Sequence, residues 1–530
     1  MRNGPVRARA SPMKPAMSPR LRWLTGVAAI ALLMAIATPY FVGRLSRALE
    51  HKAAEALKNH FGSNLDYKSI TVSLWPKAGI VGEQVVLRRA DAGELPPFLY
   101  MDQFAAEANL VGLLQSTPHI RVVRIAGLRI HVPPKQHGDG PSQKAGKHSI
   151  PDFVIDEIVA DGAELTIHGK KPNKPPLEYD LKRLTLRSAG PNTGMTFESS
   201  LTNAKPPGEI ETKGTFGPLD RDEPGATPVS GDYTFQNADL SVFDGIRGIL
   251  SSTGGFHGEL GRLEVDGQTD TPEFVLKVSG NPVHLTTQFH AIVDGTDGDT
   301  YLQPVRAQFG HSSLVAQGSV EGREGVKGKT ITLNVAFTEG RLEDVLRLGV
   351  KGTDPFMTGA IGFRTKLVIP PGDIDIARKL QLAGQFQVAS ARFLSATVQE
   401  KIDKLSRRAS GNVPDEKGDS VASDFRGRFV LKNGVMTLNS LGFRLPGLYL
   451  SLNGTYELEG GQIDFRGTAA MDAKLSQTTT GFKSLLLKAV DPFFTKGTKG
   501  AVLPIKISGT RDSPSFGLDI GIKRRLTFRK

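Results

Sequence analysis

"LYLSLNG" (Leu448–Gly454) sets Leu448, Leu450 and Leu452 at alternate positions, with Tyr449, Ser451 and Asn453 between them. Successive side chains of a β-strand point to opposite faces, so this stretch reads as a strand with one apolar and one wet face. The pattern recurs along the chain. "GAELTIHG" (162–169) sets Ala163, Leu165 and Ile167 against Glu164, Thr166 and His168, and "KGKTITLNVAF" (327–337) alternates in the same way. In "GRFVLKNGVMTL" (427–438) two such runs flank an Asn-Gly pair, which predicts a tight hairpin. The 59 glycines and 33 prolines suit many short strands joined by turns. The chain has no cysteine, which excludes disulfides, a thiolate nucleophile, cysteine-held metal and a lipidated-cysteine anchor.

Two distant stretches echo each other: "GQTDTPEFVLKV" (267–278) and "GTRDSPSFGLDI" (509–520). The spacing predicts that Gly267 and Gly509 form tight turns and that Pro272 and Pro514 sit at strand starts, where a missing N–H costs no ladder bond. Phe274 with Leu276, and Phe516 with Leu518, then share an apolar face. Short helices are expected around Leu110–Leu114 and at 238–250, 340–350, 396–410 and 481–494, and exposed loops at 134–149 and 409–420. The helix at 481–494 presents Phe482, Leu485, Leu486 and Val490 on one side, as a cap over the end of the sheet or as a docking surface. The expected class is mainly β. An elongated, repeat-built antiparallel sheet is either curled into a groove or stacked as sandwiches, and both give the same alternation. Ile463 and Phe465 join the leucines of 448–452 as groove-lining candidates.

The net charge of +12 lies at the ends: six basic residues and no acid in the first 22 positions, five and no acid in the last ten. What lies between is close to neutral, so no nucleic-acid surface is expected. Trp23–Gly43 is an uncharged apolar run long enough to span a bilayer, and the basic residues before it place the N-terminus in the cytoplasm. Ala35–Ala37 also fits a signal-peptide cleavage site, but the run continues through Phe41 and Val42, which favours an uncleaved anchor. An amphipathic helix is expected over 44–61.

No motif for chemistry stands out. The histidines are scattered, with no His-Glu-x-x-His pair, and no Gly-x-Ser-x-Gly elbow exists. "GREGVKGKT" (322–330) fails the phosphate-loop spacing and runs into a strand pattern. "DGTDGD" (294–299) clusters three carboxylates without the spacing of a calcium loop, and reads as a solvated hairpin tip. No catalytic residue, cofactor or metal is expected.

Several segments resemble the AsmA-like family of bacterial envelope proteins: "DYKSITVSLWPKAGIVGEQVVLRR" (66–89), "VQEKIDKLSRRASG" (398–411), "GTYELEGGQIDFRGTAAMDAKLSQTTTGFKSLLLKAVDPFF" (454–494) and "LPIKISGTRDSPSFGLDI" (503–520). The resemblance implies a cytoplasmic segment (1–22), an inner-membrane anchor (23–43), a linker helix (44–61), a β-repeat region (62–380) and a C-terminal region (381–530). It also implies a periplasmic, non-enzymatic protein that handles phospholipid in outer-membrane biogenesis, as its TamB-like relatives are implicated in doing, with envelope proteins as possible partners. The alternative is a structural scaffold or binding module built from packed β-sandwiches.

Overall fold

In a computed structural model, residues 65–519 are described, apart from 74–77, 89–95, 109–118, 133–153, 169–175, 190–193, 219–223, 353, 411–419, 473–500 and 511–512. The expected anchor, the linker helix, the helices near 110–114 and at 481–494, and the loop at 134–149 lie outside them. Among the described residues, no helix is long and apolar enough to cross a membrane.

All 26 strands among the described residues belong to one sheet. It begins with β1 (Leu65–Asp66), β2 (Ser69–Ser73), β3 (Gly79–Leu87), β4 (Leu99–Ala108), β5 (His119–Ala126), β6 (Arg129–Val132) and β7 (Val154–Ile167). It continues with β8 (Leu177–Ala189), β9 (Met195–Ala204), β10 (Pro207–Phe216), β11 (Pro228–Asp239), β12 (Ile246–Arg247) and β13 (Ile249–Glu259). Then follow β14 (Arg262–Leu276), β15 (Pro282–Val293), β16 (Thr300–Phe309), β17 (Ser312–Gly322), β18 (Lys329–Glu339) and, after helix α1 (Leu342–Gly349), β19 (Met357–Ile369). A single turn of helix, α2 (Ile376–Lys379), leads to β20 (Gln381–Phe393), and α3 (Ala396–Ala409) to β21 (Ser423–Lys432). The sheet closes with β22 (Val435–Leu445), β23 (Leu448–Glu457), β24 (Gln462–Met471), β25 (Ala501–Thr510) and β26 (Ser513–Leu518).

Nearly every strand pairs antiparallel with the next. The exceptions are local: β5 and β6 run parallel to β7, β1 and β2 share one side of β3, and β12 and β13 share one side of β14. The ladder passes unbroken through 380/381, since β19 pairs with β20. At ~4.8 Å per strand its contour is on the order of 100 Å.

Antiparallel order sends successive connections to opposite rims of the sheet. One rim carries α1, α3, a 3-10 turn at Leu240–Val242 and the Gly310–His311 and Pro446–Gly447 tips; the other carries α2 and hairpin tips such as Asn433–Gly434. The Asn433–Gly434 hairpin has φ of 54° and 75°, the left-handed pair that matches strand twist. On the helix rim, Leu342, Val345 and Leu346 of α1 pack on Met357, Ile361, Val388 and Ala391. Arg341 gives α1 no side-chain N-cap, and tertiary bonds hold the helix instead. Asp344 accepts from the His311 amide and the Ser312 hydroxyl, both at 2.8 Å, and the buried Asn281 carboxamide donates to the carbonyls of Arg347, Val350 and Gly352. In α3, Gln399 donates to Asp403 and the Val421 carbonyl and accepts from the Phe393 amide, while Ser406 donates to the Pro446 carbonyl at 2.7 Å.

Register breaks occur in many strand pairs, among them Leu181/Arg183, Phe235/Ala238, Thr271/Phe274, Val388/Ala391 and Leu438/Leu441. Asn237, Ser390 and Ser440, inside these breaks, take positive φ. Apart from Glu107/Ala108, Gln288/His290 and Leu302/Val305, the breaks fall at mid-strand or toward the helix rim. A bulge bends its strand and tightens the local twist, so a band of bulges on one side winds the sheet. The two rims accordingly meet. The Ile376 amide of α2 donates to the Asp244 carbonyl, in the β11–β13 connection, at 3.0 Å. A methyl placed on Gly298, between β15 and β16, would touch Leu177 at the start of β8 at 3.6 Å. In both cases the partners stand about seven strands apart along the ladder, roughly 30 Å of contour.

Four expectations are corrected. Residues 238–250 form one 3-10 turn, capped by Asp239 on the Ser241 amide at 2.8 Å, and then two strands; Gly245 and Gly248, at φ 102° and 139°, break the helical path. Gly267 is not a turn but lies mid-strand in β14, opposite Gly254 and Phe289. Pro272 is not at a strand start either; it sits in the Thr271/Phe274 bulge, which absorbs its missing N–H. Pro514 does lie near the start of β26, but Gly509, like Gly267, is a strand residue and not the turn: it lies in β25, paired with Ile463 and Pro514.

Replacing Asn281 with Ala takes the side-chain donor away from three part-buried carbonyls at and just beyond the end of α1. The expected cost is about 1–3 kcal/mol in urea unfolding. Asn281→Asp, which turns a charged acceptor toward the same carbonyls, should cost more.

Candidate functional site

Cross-strand partners share a face, so the register can be followed from strand to strand. One row crosses every level of the ladder. It starts Val72–Ile80–Ala106–Val123–Ile158–Leu186. It continues Phe197–Gly214–Gly231–Phe256–Val265–Ala291. Leu302–Gly318–Leu333–Leu367–Leu382–Leu431 follow, and Met436–Tyr456–Ile463–Gly509–Pro514 end it. Every member is apolar or glycine except Tyr456, and none is charged. Only Val72, Ala291 and Leu431 are fully buried; the other members whose side chains are described are half-buried.

Adjoining rows are apolar at both ends of the sheet. Phe309, Phe337, Phe363 and Phe429 form a chain of ring contacts with centroids 6.1, 5.6 and 5.3 Å apart. In the middle a hydroxyl belt interrupts them: Ser199–Thr212–Tyr233 in one row and Ser252–Thr269–Thr287 in the next. Tyr233 stands 3.1 Å from Ser252 and Thr269 2.7 Å from Thr287, while Ser199 and Thr212 donate to the Arg183 and Asp232 carbonyls. Burial pushes the Tyr233 phenol above its ordinary pKa, so it stays a neutral hydrogen-bonding group.

The sequence candidates fall on this face. Ala163, Leu165 and Ile167 lie on it, where paired irregularities at Gly162 and Lys182 keep Ala160 and Ala163 in one cluster. Phe274 stands opposite Val283, and Leu276 opposite Ile246. Leu448 is buried against α3 at the helix rim, and Leu452 and Phe465 are buried with Phe429 and Leu438 in a second cluster farther along the strands, whereas Leu450 and Ile463 are half-buried. Phe516 and Leu518 pair in register with Ile507 and Ile505, but their side chains lie outside the description. Phe482, Leu485, Leu486 and Val490 lie outside the described residues altogether.

The polar face is stitched by ion pairs and holds what the sequence offered as chemistry. Three β14 carboxylates meet histidines across the sheet: Glu264 with His257, Asp266 with His290, and Asp270 with His284. "DGTDGD" is not a solvated tip. Asp297 and Asp299 are buried, and their oxygens accept from the Asp299 and Gly322 amides at 2.9 and 2.8 Å, with Lys329 nearby. Among the described residues, no group of three His, Asp or Glu is arranged to hold a metal ion. Sequence reading missed the row itself and a cluster of cations on β19–β21. The signal for the cluster was present as Arg364-x-Lys366 and Arg426-x-Arg428, spacings that put like charges on one face of a strand.

Compared with protein-family models, curated proteins and solved structures, the chain matches none.

Tyr233→Phe orphans the buried Ser252 hydroxyl and should cost about 1–2 kcal/mol in thermal or urea unfolding. In the double variant with Ser252→Ala, the penalty should fall below the sum of the two single changes.

Proposed function

We propose that the chain is an inner-membrane-anchored periplasmic protein of outer-membrane biogenesis. It is not an enzyme, and its apolar face takes up phospholipid acyl chains along a groove. The observation that carries this reading is the row that crosses the ladder without a charge. A ligand that is itself a hydrocarbon chain gains roughly 0.8 kcal/mol per buried methylene, at any point along such a path. The half-burial of the row supports the same reading, because a face packed against a second sheet has no accessible surface left for a ligand. The rim contacts support a groove whose sides approach each other. The uncharged apolar run at 23–43 supports the anchor, and the resemblance of several segments to the AsmA-like family supports a periplasmic setting for the bulk of the chain.

A packed scaffold is the second reading. The burial of Leu448 against α3, and of Leu452 and Phe465 in the cluster beside it, favours it for the C-terminal strands.

Neighbouring residues of one strand face opposite ways, which permits a test in cells. With photoreactive benzoylphenylalanine at Leu333 or Leu367, illumination should yield phospholipid adducts. At Glu198 or Glu264, each one position from a member of the row and so on the opposite face, it should yield none. The absence of adducts at the two leucines would sink the lipid reading. The chain has no other cysteine, so oxidation of an Asp244→Cys/Ile376→Cys variant should join the rims. That bridge should change the yield of adducts at Leu333 if lipid passes between them.

A further inference from the structure

On the polar face, Arg364, Gln385 and Arg428 stand in register on the adjacent strands β19, β20 and β21. Lys366 lies two residues from Arg364 on the same face, in register with Asn334 and, beyond it, Gln317. These six side chains line one trough of about 510 Å³, in which Ala336 and Ala383 leave room between them. The volume lies in the range of small-molecule sites.

The cations here are unpaired. Among the described residues, no ion pair or side-chain hydrogen bond engages Arg364, Lys366 or Arg428, nor Arg426 beside them. Strands β19–β21 carry Arg364, Lys366, Arg392, Arg426, Arg428 and Lys432 against a single carboxylate, Asp424, which accepts from the Ser390 amide at 3.0 Å. Elsewhere the same face behaves differently. Arg121 and Arg124 share Glu107, Arg183 meets Asp161, Lys182 meets Glu209, and Arg187 meets Glu157 and Glu198. Like charges gathered on neighbouring strands oppose pairing of those strands. A patch that keeps them without counter-charges is arranged to receive a negative ligand.

We propose that this trough binds a small phosphate-bearing anion. Arg364 and Arg428 rise from strands two spacings apart, roughly 10 Å, so their guanidinium forks converge on one group held between them. Each fork suits two phosphate oxygens, and Lys366 adds a point charge. The carboxamides of Gln317, Asn334 and Gln385 supply donors for the remaining oxygens. The site lies on the opposite face from the apolar row, so it stands or falls independently of the phospholipid reading. The phosphate belongs either to a soluble compound or to a lipid headgroup.

The test uses the full chain in dodecyl maltoside. Pyrophosphate is titrated calorimetrically, and retention of phosphatidylglycerol is compared with that of phosphatidylcholine by native mass spectrometry. The wild type should bind pyrophosphate, more weakly as salt rises, and be stabilised by it against heat. Arg364→Gln/Arg428→Gln should weaken that binding about tenfold or more. Arg364→Lys/Arg428→Lys, which keeps the charge and loses the forks, should fall between. Lys182→Gln/Arg187→Gln removes the same charge from paired positions and should bind as the wild type does. Retention of phosphatidylglycerol over phosphatidylcholine that vanishes in Arg364→Gln/Arg428→Gln would assign the phosphate to a lipid headgroup. Pyrophosphate binding without that preference would assign it to a soluble ligand. The proposal is overturned if the wild type binds neither probe, or if the two glutamine variants bind alike.

Discussion

A sheet keeps one apolar face only while its register holds, because a slip of one residue turns every side chain of a strand to the other side. This chain has to meet that condition at every pairing from β2 to β26, and it does so along one row from Val72 to Pro514. The bulges threaten it. At Gly162 the alternation would put Ala163 on the polar face, yet Ala160 and Ala163 share one cluster because β8 has a matching irregularity at Lys182. Glycine serves the row differently. Gly214 and Gly231 face each other where the backbones run so close that an added Cβ would strike the neighbouring strand.

The strands were largely legible in the sequence, because alternation is a local property. Leu448–Leu452, Ala163–Ile167 and the Asn433–Gly434 hairpin needed no knowledge of their neighbours, and the helical spacing of 342–349 and 396–409 was enough to place α1 and α3. Residues 238–250 misled because Leu240, Phe243, Ile246 and Leu250 satisfy a helical period while two glycines deny it. Gly267 and Pro272 misled because each marks a turn in isolation. In the sheet one lies beneath Phe289 and the other occupies a bulge.

The functional surfaces were less legible, because they are properties of register rather than of strands. No window of sequence contains both Leu333 and Leu431, and Arg364 and Arg428 become neighbours only through β20. The near-neutral charge of the middle of the chain hid a polar face on which, among the described residues, most cations of β4–β10 are ion-paired and those of β19–β21 are not. Averaging over a sequence removes the contrast that a folded surface displays.

The winding of the sheet bears on how such a chain acquires its shape. Most ladder contacts join strands that follow one another, so each hairpin has a finished edge to add to as soon as it emerges, and the loop to be closed is short. The bonds between rims are of another kind. Asp244 waits for Ile376, and Leu177 for Gly298, until more than a hundred residues have been laid down. Assembly can therefore proceed vectorially as a ribbon, with the seam following some distance behind the growing end. During that interval the apolar face is wider open than it is in the finished protein. Any hydrophobic molecule already at hand has its easiest entry then, before the seam has closed over the strands it would occupy.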